Sequence, residues 1–599
     1  MNVISPQLVI ILLSLVYIEL KSQIIIDDLS ISFIKHNLPL TTFSEQETND
    51  TQYRYADGSF SGHPSIAENN TTAGMLNFGS VLEISSYSTI NHGPQSRGYY
   101  SKFRETLSLG LQRRASRNNL ATLVNAVKNY RRNNITYEIF AGGVKCTGGL
   151  CENTQPNGEP SRFVSALWLG PSAPQFAGDP NSPNQWIRDL YGLFSQYTSV
   201  ATLLVPQNGQ QDQLFLLTGH VFRQNDRTFH TKLMVRNHSR LQTIVPCNLK
   251  HAIPENAPSE VPRDSTPLDI EAVNLGNGAV RALVVGQSFY WVHDAHGSRG
   301  RLEIRPVAWN ISSCILEQDR TVTHAVDPEV LPTTPPGMAN VDSAFGYARR
   351  LIIKPDGTPF VVGYIFVRSQ GRAYHFAALW THQNGRWNLR VLPHVRHPNG
   401  AFSKFAIATG IAEFRDKLII TGFSSPISTL DGRQGTLWVV DNTNIKGMLF
   451  NPNIRGSERA NVTWASAVNS NFWVVGREKI PNSNNERHVL LVPTIRALQP
   501  VIANGGGGWA SLKFYKIRGK QRKRYQRFAT HVVPPFSNTT ASPQNPEHPI
   551  QFNSQNYTDL RRMFLSMIEQ VGLFIPDEIK NLYLESQTNS NTGIGENPS

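Results

Sequence analysis

The sequence predicts an all-β fold built from one repeated unit, and three observations support this prediction. A unit of three short apolar strands recurs at least six times between Ala121 and Val492. Its strands are rich in the β-branched and aromatic residues that suit a pleated, buried surface, as in LVVG, FVVG and FWVVG. Turn residues such as Asn208-Gly209 and Pro355-Asp356-Gly357 stand between paired strands, where tight hairpins need them.

Two copies show the unit most clearly. ARRLIIKPDGTPFVVG (348–363) is followed by HFAALW (375–380), and ASAVNSNFWVVG (465–476) is followed by HVLLV (488–492). In each copy a strand, a turn and a second strand ending in Gly precede a variable loop and a third strand. The closing glycines of the six copies are Gly143, Gly219, Gly286, Gly363, Gly422 and Gly476.

A Trp recurs at a matching place in the third strand of four copies, and it suggests how the units pack. These residues are Trp168, Trp309, Trp380 and Trp438. One such unit is too small to bury its own faces, so neighbouring units must stack, with the Trp between them. The sequence therefore predicts a closed, β-propeller-like repeat array of six or seven blades. Either 75–90 or 509–517 could supply the strands that complete the ring.

The repeats resemble a known family. The pattern A-x-A-x-N, then VVG, a loop and H-A-x-L-W is similar to the HAF-type extracellular repeats of secreted bacterial proteins. ASAVNSNFWVVG with HVLLV, and FVVGYIF with YHFAALW, carry this resemblance, which covers about residues 120–495. It implies a secreted or surface β-repeat protein and no particular activity.

The N-terminal region divides into three predicted segments. Residues 1–22 look like a signal peptide, because the apolar stretch LVIILLSLVYI is too short to span a bilayer; an uncleaved anchor is the alternative. Residues 23–76 are predicted to form an acidic, extended arm. Residues 77–120 form a basic lead-in that could be part of a blade.

The C-terminal region follows the repeats of 121–512. Residues 513–555 hold a basic cluster and a linker rich in Pro, Ser and Asn. Residues 556–586 are predicted to form a helical hairpin, because their apolar residues recur at helical spacing. Residues 587–599 are predicted to be disordered.

Charge gives the best indication of partners. The net charge is +13, and the segment KFYKIRGKQRKRYQRF (513–528) interleaves eight basic residues with aromatic ones. In a secreted protein such a cluster favours an acidic glycan or matrix polyanion over nucleic acid. A solvated basic face and a site of proteolytic processing are the alternatives. The predicted polyanion-binding residues are Lys513, Lys516, Arg518, Lys520, Arg522, Lys523, Arg524 and Arg527.

Four cysteines support an extracellular location. We expect disulfides Cys146–Cys151, a local clip, and Cys247–Cys314, a staple between neighbouring blades. A zinc site is the alternative, but the spacing of Cys146 and Cys151 is wider than zinc sites usually show. Nine sequons are candidate glycosylation sites. They are Asn49, Asn69, Asn70, Asn134, Asn237, Asn310, Asn461, Asn538 and Asn556.

Catalytic motifs are weak. Two H-x-x-H pairs, His293/His296 and His394/His397, lie in predicted loops, but a metal would need a third convergent ligand. We therefore predict no cofactor, no metal and no catalytic residue. The leading hypothesis is a secreted β-propeller binding or structural protein that recognises a glycan, a matrix component or a protein partner, with no transmembrane anchor. The alternative is a glycan-cleaving hydrolase or lyase that uses carboxylates from several blades.

Overall fold

The computed structural model confirms the all-β prediction: most of the described chain is β-strand in antiparallel sheets, with three short helices among the described residues. The structure describes residues 24–26, 29–37, 65–66, 77–84, 95–102, 105–108, 122–132, 135–145, 163–169, 175–176, 194–207, 210–223, 227–237, 243–244, 247–255, 257, 261–276, 278–293, 300–316, 324–428, 432–441, 444–451, 454–455, 461–479, 486–497, 557–571, 573 and 575–585. In the described part of the chain, no helix is long and apolar enough to cross a membrane.

The first strands along the chain lie in two sheets. The N-terminal pair is β1 (Ile24–Ile26) and β2 (Leu29–Asn37). Meander I has the order β3 (Ser65–Ile66), β4 (Asn77–Ile84), β5 (Gln95–Lys102) and β6 (Glu105–Ser108).

The next two meanders share one eight-stranded sheet, in which β9 and β11 run parallel. Meander II comprises β7 (Thr122–Arg132), β8 (Ile135–Lys145), β9 (Phe163–Leu169) and β10 (Gln175–Phe176). Meander III comprises β11 (Phe194–Gln207), β12 (Gln210–Phe222), β13 (Phe229–Asn237) and β14 (Thr243–Ile244).

Three four-stranded meanders follow. Meander IV comprises β16 (Ser265–Gly276), β17 (Ala279–His293), β18 (Gly300–Asn310) and β20 (Glu329–Val330). Around it, β15 (Cys247–Leu249) pairs in parallel with β19 (His324–Val326), and helix α1 spans Ser312–Leu316. Meander V comprises β21 (Val341–Ile353), β22 (Pro359–Ser369), β23 (Arg372–Gln383) and β24 (Arg386–Val391). Meander VI comprises β25 (Phe405–Phe414), β26 (Lys417–Ser425), β27 (Gln434–Asp441) and β28 (Asn444–Leu449).

The last sheet combines strands from both ends of the chain. Meander VII comprises β30 (Val462–Val468), β31 (Val474–Lys479) and β32 (Glu486–Ala497), and the sheet order is β1-β2-β32-β31-β30. The short strand β29 (Ile454–Arg455) pairs with β2. Two C-terminal helices complete the structure, α2 (Tyr557–Gln570) and α3 (Asp577–Leu584).

The chain folds into two compact units, 1–32 with 494–552 and 33–493 with 553–599. In the smaller unit, β1 pairs with the start of β2 in the register Ile24↔Ile31. In the larger unit, the first strands of meanders II to VII touch one another in chain order, and β3 touches both β7 and β30.

Strands β1, β2 and β3 lie in the region predicted as an acidic, extended arm. In β2 the residues from Leu29 to Phe33 are all buried, so both faces of this part of the strand are covered. Phe33 packs edge-on against Phe450 and Phe472. Strands β4, β5 and β6 lie in the segment predicted as a lead-in that could be part of a blade.

The recurring glycines have a common structural cause. In meanders II to VII the first strand carries a β-bulge, and the residue just before the bulge pairs with a Gly of the second strand. A Cβ on the glycines of meanders III to VII would lie 1.9–2.3 Å from a carbonyl oxygen of the first strand, so the two backbones approach too closely for any other residue. These five are the predicted Gly219, Gly286, Gly363, Gly422 and Gly476. In meander II the equivalent residue is Gly142, not Gly143.

The recurring tryptophans lie between neighbouring meanders, as predicted. Trp309, Trp380 and Trp438 are fully buried, and each belongs to a core cluster shared with the preceding meander. Each indole N–H donates to a backbone carbonyl of the segment that leads into its own meander, with lengths of 2.8, 2.7 and 2.9 Å. The Trp therefore ties the third strand of a meander to that leading segment. The side chain of Trp168 lies outside the described residues.

The two C-terminal helices pack on meanders III and IV, within the segment predicted as a helical hairpin. The ring of Phe564 stacks on Phe289 at 5.1 Å, and Tyr583 meets Phe229 edge-on at 5.2 Å. A hydrogen bond also holds helix α2 on meander IV, since Gln287 Nε2 donates to the carbonyl of Phe564 at 3.3 Å. These helices bury their apolar faces on the sheets and do not form a free hairpin.

Candidate functional site

One of the two predicted disulfides lies in the described residues and is confirmed. Cys247 of β15 and Cys314 of α1 are bonded, with a Cα–Cα distance of 5.9 Å. Because β15 precedes meander IV and α1 lies between its third and fourth strands, the bond ties the segment before this meander to a connection within it. Cys146 and Cys151 lie outside the described residues.

The predicted polyanion-binding residues, Lys513, Lys516, Arg518, Lys520, Arg522, Lys523, Arg524 and Arg527, all lie outside the described residues. Of the nine sequons, Asn237, Asn310 and Asn461 lie inside them. Asn461 is exposed. Asn310 already accepts a hydrogen bond from the Ser312 hydroxyl at 2.7 Å.

The histidine pair His394/His397 does not converge on one point. His394 packs against Phe376, and burial lowers its pKa to about 4. His397 lies 3.2 Å from the Ser403 hydroxyl, and burial lowers its pKa as well. Among the described residues, no group of three His, Cys, Asp or Glu could hold a metal ion. Of the other pair, His293 ends β17 and His296 lies outside the described residues.

A group of polar contacts outside the predicted sites joins the first strands of four meanders. We call Lys128, Ser199, Asp269, Glu271, Arg349 and Arg350 the inner-strand cluster; they come from β7, β11, β16 and β21. None of these residues was predicted as a site from the sequence.

Asp269 is the hub of the inner-strand cluster. Its Oδ1 accepts hydrogen bonds from the Ser199 hydroxyl at 2.6 Å and from Arg350 Nη1 at 2.9 Å. Its Oδ2 accepts the backbone N–H of Leu351 at 2.9 Å. The carboxylate is 5% exposed and its Arg350 partner 15% exposed, so this ion pair joins meanders III, IV and V away from bulk water.

Glu271 lies two residues further along β16 and therefore on the same face of the strand as Asp269. It accepts a hydrogen bond from Lys128 Nζ of meander II at 2.5 Å. Burial raises the pKa of Glu271, Lys128 opposes the rise and the nearby Asp269 adds to it. This carboxyl is 22% exposed and its Lys128 partner 27%, so the pair is only partly shielded from solvent.

Arg349 differs from every other charge of the inner-strand cluster. It is the bulged residue of β21, only 5% exposed, and among the described residues its single hydrogen bond runs from Nη1 to the carbonyl of Leu268, 3.2 Å away. Burial, and then the neighbouring Arg350, lower the pKa of Arg349 to about 9. The cluster thus holds the cations Lys128, Arg349 and Arg350 but only the carboxylates Asp269 and Glu271.

The remaining buried carboxylates of the described residues also have structural bonds. Asp264 accepts the N–H of Phe229 at 2.6 Å. Glu303 is held between Arg301, at 2.9 Å, and Arg305. Glu478 accepts Lys35 Nζ at 2.8 Å. The bonds of Asp264 and Glu478 join segments that are distant in sequence, and the bonds of Glu303 join neighbouring side chains of β18.

A signal for the inner-strand cluster was present in the sequence. The adjacent Arg349 and Arg350 interrupt an apolar strand, and Asp269 and Glu271 alternate with apolar residues in PLDIEAV. Charges inside an otherwise apolar strand indicate that they are paired or functional. Which charges pair could not be predicted, because the partners lie on strands about 70 to 140 residues apart.

Comparisons with known proteins give no family. No protein-family model and no curated protein matches the chain. A mutant Trypanosoma rangeli sialidase with trans-sialidase activity is 10% identical, with a TM-score of 0.29, over 83% of this chain and 60% of that chain. The chain thus spans less than two thirds of that sialidase.

Two further solved structures are similar at the same level. An ulvan lyase of a polysaccharide lyase family is 9% identical, with a TM-score of 0.36, over 73% of this chain and 94% of that chain. A mutant sialidase from Streptococcus pneumoniae is 10% identical, with a TM-score of 0.32, over 75% of this chain and 72% of that chain. These TM-scores lie below 0.5 and carry no argument about function.

Proposed function

We propose that meanders I to VII are the seven blades of a closed β-propeller. The packing of the first strands of consecutive meanders against one another supports this, as does the position of β3 beside both β7 and β30. Buried Trp side chains between neighbouring meanders supply the interblade packing that such a ring needs. The resemblance to HAF-type extracellular repeats is part of the same proposal.

On this scaffold the protein acts as an extracellular binding or structural protein that recognises an acidic glycan or matrix polyanion. The observation that carries this proposal is the net charge of +13, which favours anionic partners. Three buried carboxylates of the described residues, Asp269, Glu303 and Glu478, are engaged in ion pairs.

The extracellular location rests on two observations. The first 22 residues resemble a signal peptide, and the Cys247–Cys314 disulfide is stable in an oxidising compartment. A secreted cationic protein meets sulfated and carboxylated polysaccharides as its commonest polyanions.

The experiment is retention of the full chain on immobilised heparin with elution by a salt gradient. We expect a triple change of Arg522, Lys523 and Arg524 to Ala to lower the eluting salt concentration markedly. The matched control changes three exposed basic residues of the described chain, Arg372, Arg386 and Lys404, to Ala. If both variants eluted at the same lowered salt concentration, the interaction would depend on net charge alone. Elution of the unaltered chain at low salt would refute the proposal.

A second candidate function, cleavage of an acidic glycan, is favoured by one observation. Asp269 and Glu271 lie two residues apart on one face of β16, and the pKa of the partly exposed Glu271 is raised. Glu271 would then act as the acid. The test is release of new chain ends from a panel of acidic polysaccharides, by the unaltered chain and by Glu271→Gln. Activity that Glu271→Gln retains, or no activity in the unaltered chain, excludes this candidate.

A further inference from the structure

The inner-strand cluster contains one buried charge whose position does not require a charge. At the bulge of three of the first strands, a side chain bonds across to the backbone of a neighbouring meander. Asn125 Nδ2 donates to the carbonyl of Tyr197 at 2.7 Å, and the Thr409 hydroxyl donates to the carbonyl of Ala465 at 2.8 Å. Arg349 also makes an inter-meander bond, but to Leu268, the bulged residue of the preceding meander, whereas Asn125 and Thr409 bond to the meander that follows their own.

Neutral Asn and Thr therefore suffice for this inter-meander bond. A guanidinium at the same place costs desolvation energy, because a buried charge without a counter-charge loses its hydration. Asp269 opposes the lowering of the Arg349 pKa only in part, and both carboxylates of the cluster have other ion-pair partners. Asp269 bonds to Arg350, and Glu271 bonds to Lys128.

Two hydroxyl groups on the strands that carry Arg349 and Leu268 also have no hydrogen-bond partner among the described residues. The phenol of Tyr347, two residues before Arg349, and the hydroxyl of Thr266, two residues before Leu268, are fully buried. Burial raises the pKa of Tyr347 far above its usual value, and the Arg349 guanidinium is close enough to oppose the rise. Tyr347 is thus a neutral donor at neutral pH.

We propose that Arg349, Tyr347 and Thr266 form a binding site for a single oxyanion, the carboxylate or sulfate group of an acidic sugar. A guanidinium supplies several N–H donors in a planar fork that matches such groups, and hydroxyls complete the hydrogen bonds that the oxyanion oxygens accept. Because Arg349 is only 5% exposed, the site admits one small acidic group and not a length of polymer.

The site uses none of the residues 513–528, so each proposal can fail alone. A failure to bind heparin would contradict the polyanion proposal but not the oxyanion site. A failure to bind small oxyanions would contradict the oxyanion site but not the polyanion proposal.

The experiment is calorimetric titration of the full chain, at fixed ionic strength, with sodium glucuronate, sodium sulfate and neutral glucose. We expect saturable binding of glucuronate or sulfate and none of glucose. At ten times Kd the same anion should raise the folding equilibrium constant about 11-fold, which thermal unfolding measures independently. Binding of sulfate alone would identify an inorganic oxyanion as the ligand, and binding of glucuronate would identify the acidic sugar.

Two variants and one control decide the role of the residues. Arg349→Gln keeps an amide donor for the Leu268 carbonyl but removes the charge, and we expect it to weaken anion binding at least tenfold. Tyr347→Phe removes one buried donor without a cavity and should weaken binding about fivefold. Arg386→Gln removes one exposed charge and should leave binding unchanged.

Three results would overturn the proposal. They are no anion binding by the unaltered chain, equal effects of Arg349→Gln and Arg386→Gln, or unchanged binding by a folded Tyr347→Phe. If Arg349→Gln does not fold, Tyr347→Phe gives the decision, because its smaller side chain keeps the ring packing of Tyr347 against Tyr364 at 5.5 Å.

Discussion

Replacing Gly363 by Ala tests whether the recurring glycines are required by the close approach of two strands. In meander V, Gly363 pairs with Ala348, just before the bulge at Arg349. A Cβ at this position would lie 2.1 Å from the carbonyl oxygen of Tyr347 and 3.1 Å from the Cα of Ala348. A carbon and an oxygen rest at about 3.3 Å, so the strands must separate by about 1.2 Å.

This separation of the strands determines how much the substitution destabilises the protein. Overpacking of this kind costs about 1–3 kcal/mol, and a broken ladder hydrogen bond adds about 1 kcal/mol. The reduced freedom of the unfolded Ala chain returns about 0.4–1 kcal/mol. The free energy of unfolding should therefore fall by about 2 kcal/mol. The bulge should also be displaced, because the clash is with backbone atoms and no side chain can move out of the way.

The assay is urea unfolding of the full chain, with Gly371→Ala as the matched control. Gly371 lies in the same meander, has a φ of +74°, and a Cβ there would meet nothing within 4 Å. Gly371→Ala should lower the free energy of unfolding by only about 1 kcal/mol, because Ala is strained in the left-handed conformation. If Gly363→Ala destabilised the protein no more than Gly371→Ala, the close-approach explanation would be wrong.

Three further predictions address the core, the disulfide and the helix contact. Trp380→Phe leaves the carbonyl of Pro332 without its N–H donor and opens space between meanders IV and V, so thermal unfolding should show a loss of about 2 kcal/mol. Cys247→Ser opens a loop of 67 residues and should cost about 4 kcal/mol in urea unfolding under oxidising conditions, with no effect under reducing conditions. Burial raises the pKa of Asp264 from 3.8 to about 6, with Arg561 opposing the rise. A carboxyl whose folded pKa is raised contributes stability below pH 3.8 that is lost as the pH rises through about 6, so Asp264→Asn should remove about 3 kcal/mol of this dependence between about pH 4 and pH 7. An unchanged pH profile in Asp264→Asn would contradict that assignment.

The repeat pattern predicted much of the fold because its causes are local. The second-strand glycines and third-strand tryptophans recur at fixed places in the unit, and both have direct structural reasons, as Gly363 and Trp380 show. The N-terminal strand β2 was not predicted, since a short alternating run between unpatterned neighbours gives a weak signal and its partner β29 lies more than 400 residues away.

The inner-strand cluster was missed for a different reason. Its ion pairs join residues such as Lys128 and Glu271, which are 143 positions apart, and their proximity depends on how the meanders stack. Sequence reasoning favoured the visible basic run of 513–528, because a run of like charges can be recognised without any knowledge of folding. The adjacent Arg349 and Arg350 mark the strand in the sequence, but their partners become known only from the structure.

The docking of the C-terminal helices has a consequence for the biosynthesis of this protein. The ribosome completes meanders III and IV long before it adds Phe564 and Tyr583, whose rings cover Phe289 and Phe229. During that interval these aromatic rings lack their final neighbours and resemble the surfaces that chaperones bind. Release of the nascent chain from chaperones therefore depends on its last helices, and a premature stop codon just before residue 557 would leave a nearly complete protein that folding quality control retains.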